Sequence, residues 1–338
     1  MSDDRRQLRR GGALFVAAGA ALWGTDAVLR APLVSGDALR ALTGGQALPA
    51  SLANGLSSSA IVLAEHVILL VFALPVVLYF RQYFTKLGAT QWLTLILIAW
   101  GGSGLATVLF TEGFKTGDPT TVILLQKVQP LFAISLARLM LREPFGRFFW
   151  PAFGVAMVGA YLISFGTLDP IWRLPQAQIQ TAGLAIGAAI LWGSATVFGR
   201  YVLADLPFTA LTGARFLFAL PFLLVLALAQ GTAGQTLPGI AIAPISLVLV
   251  ALGPGLLSLL LYYRGLTSTR ASIATLAELA FPATAVVLNW LFLSRGVSAT
   301  QIVGFILLWG AIILLDRFAA APAPTTHLRP ATAGLAGD

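Results

Sequence analysis

The chain has 338 residues, 58% hydrophobic and only 10% charged, where a soluble protein of this length would carry about 85 charged side chains. Its 21 basic and 13 acidic residues cannot clothe a water-facing globule of this size, and the mean hydropathy of +0.87 points to a polytopic membrane protein. The absence of cysteine excludes disulfides, thiolate metal sites and a thiol nucleophile, and two histidines, His66 and His327, cannot build a histidine metal cluster.

In chain order, a basic tail over 1–11 precedes apolar runs near 12–33, 58–80, 90–111, 119–140 and 148–166. After a linker at 167–181 come runs near 182–203, 208–229, 240–262, 272–293 and 298–316, then a tail over 317–338. Lengths near 20 residues suit helices that cross hydrocarbon, and continuous apolar runs without alternation argue against a barrel. The first run is too long for a signal-peptide core and carries polar groups, so it reads as an uncleaved helix. The Gly-, Ser- and Pro-interrupted segment 34–57 reads as an extracytoplasmic insertion, with a short surface helix expected around 37–42.

The bases divide unevenly between the two sides. Arg5, Arg6, Arg9, Arg10, Arg81, Lys86, Arg138, Arg142, Arg147, Arg200, Arg264, Arg270, Arg317 and Arg329 fall on the side of the N-terminus. Only Arg30, Arg40, Lys115, Arg173 and Arg295 fall on the other. The positive-inside rule then predicts both termini in the cytoplasm of a bacterial-type inner membrane. The net charge of +8 is thereby explained by orientation rather than by nucleic acid.

The halves repeat. Ala21-Leu22-Trp23-Gly24-Thr25 matches Ile190-Leu191-Trp192-Gly193-Ser194, and Gly113 through Pro130 aligns without a gap to Gly265 through Pro282. Five spans per half is odd, so the second copy enters the membrane inverted. The expected fold is an all-α bundle of ten transmembrane helices in two inverted five-helix repeats, 12–166 and 182–316.

These features, together with Leu125-Gln126-Lys127-Val128-Gln129-Pro130 and Leu141-Arg142-Glu143, resemble the EamA-domain members of the drug/metabolite transporter superfamily. The resemblance covers nearly the whole chain apart from the tails and the 34–57 segment. It implies an exporter or exchanger of small metabolites, amino acids among them. The family's closing glutamate falls on Glu143, and the aligned position of the second repeat holds Arg295.

A charge at bilayer depth costs roughly 2.5–3.5 kcal/mol on insertion scales, so each one calls for a reason. Lys127 lies mid-span, beyond easy snorkelling, with Gln126 and Gln129 within one turn. The repeat places Glu278 opposite Gln126, so Lys127 and Glu278 either pair directly or hold the two ends of a substrate. Trp23 and Trp192, each before a glycine, are cavity candidates, with Tyr262, Tyr263 and Asn289 as neutral partners. Adjacent Glu65 and His66 point about 100° apart on a helix; a titrating pair there would couple transport to protons, whereas a structural pair would only pack. Arg215 is expected to partner an acid such as Asp26. Trp100, Trp290 and Trp309 suit the membrane interface.

The expected function is secondary transport of a small polar or amphipathic metabolite such as an amino acid, by alternating access around a midplane cavity. The alternative is a passive channel or lipid scramblase on the same bundle. An enzyme is disfavoured, because no thiol, histidine cluster or Gly-x-Ser-x-Gly occurs. No cofactor or metal is called for. The expected partners are the solute and the bilayer, with the chain as monomer or homodimer.

Overall fold

The computed structural model describes residues 2–129, 131–133, 135–136, 149–167, 169–203, 205–266, 278, 280–294 and 296–318. Among them the chain is helical, with no strand. The elements that position the site are α1 (Ser2–Trp23), α2 (Asp26–Arg30), α3 (Gly36–Leu42), α4 (Ser58–Tyr79) and α5 (Ala89–Thr116). They continue with α6 (Pro119–Leu125), α7 (Phe149–Phe165), α8 (Gln176–Val202), α9 (Phe208–Ala229), α10 (Pro244–Gly265), α11 (Ala280–Leu293) and α12 (Ala299–Phe318). Six described segments are long and apolar enough to cross a bilayer: Leu14–Val34, Ser58–Tyr79, Ala89–Thr116, Gln176–Gly199, Phe208–Ala229 and Pro244–Gly265. Shorter apolar helices cover Trp150–Ile163, Ala280–Leu293 and Ala299–Ala311. This is a multi-pass, all-helical integral membrane protein.

The outer faces agree with a lipid surround. Val71, Leu228, Ile245, Trp290, Phe292 and Ile306 are all exposed, an apolar outer surface that water would not tolerate and hydrocarbon accepts. Trp100 and Trp290 are exposed, whereas Trp309 is buried in the core beside Phe305. The interfacial expectation for Trp309 is thereby corrected: hydrophobicity alone does not say which face of α12 turns inward.

Helices pair closely where small residues let backbones approach. The largest contacts are α7 with α12, α4 with α9, α1 with α10, and α5 with α8. Between α7 and α12 a Cβ at Gly159 would stand 2.6 Å from the Gly304 carbonyl oxygen, and one at Gly304 would stand 2.7 Å from that of Gly159. The Trp-Gly motifs act alike. A Cβ at Gly24 would meet Thr284 Cβ at 2.8 Å and Ala285 N at 3.0 Å; one at Gly193 would meet Gln129 O at 2.9 Å and Ala133 N at 3.2 Å.

Both α5 and α10 contain a π-helical stretch, Ile98–Leu105 and Ala251–Leu257. Glycines at 101, 102 and 104, and Gly-Pro-Gly at 253–255, weaken the regular ladder there. Helix α3 stands where the sequence predicts one, capped by the Ser35 side chain. The 34–57 segment is fastened rather than loose: Leu39, Leu52 and Leu56 are buried in the main core, and Leu56 N donates to Leu33 O at 2.8 Å. Gln235 ties it down further, accepting from Ser57 N at 2.9 Å and donating to Ser51 O at 2.9 Å.

Candidate functional site

A cavity of about 160 Å³ lies among α1, α2, α4, α5, α8, α9, α10 and the segments around Lys127 and Glu278. Trp23, Asp26, Glu65, His66, Gln126, Lys127, Gln129, Trp192, Arg215, Tyr262, Tyr263 and Glu278 all line it. Asn289 does not. It is buried and donates to Thr120 Oγ1 at 3.2 Å, joining α11 to α6.

At one side lies an ionic cluster. The chain turns at Gly24-Thr25 after α1, and α2 sets Asp26 and Arg30 four residues apart on one face. Arg30 donates through Nε to Asp26 Oδ2 at 3.0 Å and through Nη2 to Asp26 Oδ1 at 2.9 Å. Its Nη1 and Nη2 both reach Glu65 Oε2 at 3.1 Å, and Nη1 reaches Thr111 Oγ1 at 3.3 Å. One guanidinium thus satisfies two buried carboxylates, in the fork geometry that arginine suits.

This corrects two expectations. Arg30 is not an outer-loop base, being 2% exposed. Asp26 takes Arg30 rather than Arg215 as its partner. Sequence reasoning counted Arg30 among loop residues because it lies at the predicted end of the first span. The Asp26-to-Arg30 spacing on a helical turn was the available signal.

Glu65 and His66 diverge as neighbours on a helix must. Glu65 turns to Arg30; His66 turns to α9, its ring edge-on to Phe216 at 5.5 Å. His66 Nδ1 lies 2.8 Å from Val62 O, so Nδ1 carries a proton and donates to that carbonyl. Arg215 from α9 donates through Nε to Ser103 Oγ at 2.7 Å and through Nη1 to Tyr263 OH at 3.1 Å. Ser103 lies in the π-helical stretch of α5 and lines the cavity, as do Pro254 and Gly255 of the π-helical stretch in α10. These wall positions escaped the sequence reading; their signal was glycine clustering in mid-span.

Elsewhere in the lining Lys127, 5% exposed, sets its ammonium 4.1 Å from the Phe281 ring centroid. Lys127 and Glu278 both line this cavity. Tyr262 OH donates to Glu278 Oε1 at 2.5 Å. Gln126 Nε2 donates to Gln129 Oε1 at 3.2 Å, and Gln129 Nε2 to Thr196 Oγ1 at 3.5 Å. Aromatic rings complete the wall. Trp23 lies 4.9 Å from Tyr262, and Trp192 lies 5.1 Å from Phe110 with its Nε1 donating to Gly102 O at 2.8 Å. The arrangement offers flat apolar faces, amides, and fixed charges of both signs to a solute.

The family model of EamA-like transporters matches residues 10–165 and 180–316. The chain belongs to the EamA-like transporter family. A relative from Fusobacterium nucleatum subsp. nucleatum, named riboflavin transporter ImpX, is 34% identical over 217 residues, spanning 63% of this chain and 71% of that protein. A solved structure, described only as the crystal structure of a protein, shares the fold with a TM-score of 0.55 at 14% identity, covering 92% of this chain and all of the other. As a family member the chain is a transporter, with a small molecule and the bilayer as its partners.

Proposed function

We propose that this EamA-like protein is a secondary carrier of a planar, amphipathic heteroaromatic metabolite of the riboflavin type, moved by alternating access around the central cavity. The observation that carries the reading is the cavity wall. Two aromatic pairs, Trp23–Tyr262 and Trp192–Phe110, line it together with the amides of Gln126 and Gln129. Flat rings stack on aromatic side chains, and amides take the donors and acceptors of a heterocycle's edge. The riboflavin-transporting relative supports a flavin-like solute over the amino acid that the sequence alone offers as an example.

Two observations support the two-repeat, ten-helix reading that alternating access needs. The family model matches the chain twice. The helix pairs also exchange under an inverted repeat: α1 packs on α10 as α8 packs on α5, while α4–α9 and α7–α12 each pair across the two halves. Gly24 against Ala285 and Gly193 against Ala133 are equivalent approaches in the same register. The orientation with both termini inside, and the direction of transport as export or exchange, are part of this proposal.

Binding tests the solute class. Trp192 and Trp23 line the cavity, whereas Trp172 is exposed. Riboflavin titrated into purified protein should quench tryptophan fluorescence saturably, and Trp192→Phe should remove a larger share of the quench than Trp172→Phe. Saturable quenching by amino acids, with none by riboflavin, would return the solute class to amino acids.

A further inference from the structure

The buried arginines of the cavity are treated differently by the fold. Arg30 is matched by two carboxylates. Arg215 is equally inside the protein, at 7% exposure, yet its partners are the hydroxyls of Ser103 and Tyr263. No carboxylate stands within ion-pair distance of it among the described residues. A guanidinium is always charged and carries five donors. Its Nε and Nη1 are engaged by α5 and α10, which hold the plane of the fork fixed. The Nη2 group makes no hydrogen bond among the described residues, and Arg215 lines the cavity. Lys127, which also lines the cavity, rests on the Phe281 ring.

We propose that Arg215 anchors an acidic group, a phosphate ester or a carboxylate, on the transported heteroaromatic solute. A buried charge held only by neutral groups is the state that an incoming anion improves most, because the pair forms where solvent is scarce. The guanidinium is already oriented by Ser103 and Tyr263, so little ordering is required when the anion arrives. The proposal rests on the cavity being the solute site and adds the charge of the solute to that reading.

Matched neutral and anionic probes test it on the purified full chain, by thermal stabilisation and by tryptophan quenching. Riboflavin is compared with riboflavin 5′-phosphate, and nicotinamide with nicotinate. The anionic member of at least one pair should bind about tenfold more tightly, the scale of a charge-assisted hydrogen-bonded pair. Which pair responds tells phosphate from carboxylate. Arg215→Gln should erase the preference, and Arg215→Lys, which keeps the charge, should retain part of it. Tyr263→Phe should weaken it. If Arg215→Gln does not fold, the Arg215→Lys and Tyr263→Phe ratios decide. Riboflavin binding with no preference for either anion in wild type would overturn the proposal and leave the flavin-like reading standing. An Arg215-dependent preference for nicotinate with no flavin binding would support the proposal and remove the flavin-like reading. Equal preference in wild type and Arg215→Gln, or no binding by any probe, would overturn it.

Discussion

Arg30 is the counter-ion of two buried carboxylates, and its removal has a definite sign. Arg30→Met would leave Asp26 and Glu65 buried without their counter-ion, an arrangement that costs about 3–5 kcal/mol when one partner of a buried pair is lost. Glu65→Gln removes one carboxylate and leaves Arg30 on Asp26, so its cost should be smaller. Thermal unfolding in detergent should rank wild type above Glu65→Gln and Glu65→Gln above Arg30→Met; an Arg30→Met protein as stable as wild type would show the cluster to be energetically idle. Lys127 makes the contrasting case. It touches a ring rather than a carboxylate, so Lys127→Met should lose saturable transport with little loss of melting temperature. Should Lys127→Met/Glu278→Gln regain both stability and transport, the pair would be scaffold rather than site. Much of this cavity was legible in the sequence, since Lys127, Glu278, Trp23 and Trp192 stand out as polar or repeated residues in apolar runs. Arg30 and Asn289 were not. Whether a base near a span end snorkels or turns inward is decided by the turn at Gly24-Thr25 and by the 34–57 segment packed beside it. Asn289 is polar and mid-helix like the others, but nothing in its spacing tells a helix–helix contact from a cavity wall.

At the level of elements, close packing is set by glycines at particular registers. Gly159 and Gly154 share α7, yet only Gly159 lies against a neighbour; a Cβ at Gly154 would meet nothing within 4 Å. Gly159→Val should therefore destabilise by about 1–3 kcal/mol, the usual cost of overpacking, while Gly154→Val stays near wild type. Equal melting temperatures for the two variants would contradict the α7–α12 interface. The helices themselves were legible, because apolar runs of bilayer length report themselves. The predicted 58–80, 148–166 and 208–229 appear as Ser58–Tyr79, Phe149–Phe165 and Phe208–Ala229. The predicted 119–140 continues in part beyond the described residues, and Glu143 lies outside them. The π-helical stretches were not legible. Glycine clusters mark a weak ladder, but the direction in which it gives depends on the helices packed around it.

For the whole molecule, an inverted repeat makes a topological commitment. Reporter fusions at Gly88, Gly146 and the C-terminus should report cytoplasm, and a fusion at Gly234 should report the outside. An external C-terminus would contradict an even number of spans. The Trp-Gly motifs are the sequence's argument for a repeat, and both motif glycines, Gly24 and Gly193, sit where a neighbouring helix comes close. What charge and spacing did not disclose is how unequally the halves use it. Among the described residues Arg30 of the first half is bound by two carboxylates, and Arg215 of the second by the hydroxyls of Ser103 and Tyr263.

Carriage of a riboflavin-type solute through one cavity by alternating access has a distinct kinetic signature. Counterflow in liposomes tests it most directly: vesicles containing the purified protein are loaded with unlabelled riboflavin, and entry of labelled riboflavin is followed. A carrier should give a saturable, transient overshoot of label, absent with Lys127→Met. A non-saturable flux with no overshoot, or no riboflavin movement while amino acids show counterflow, would contradict it.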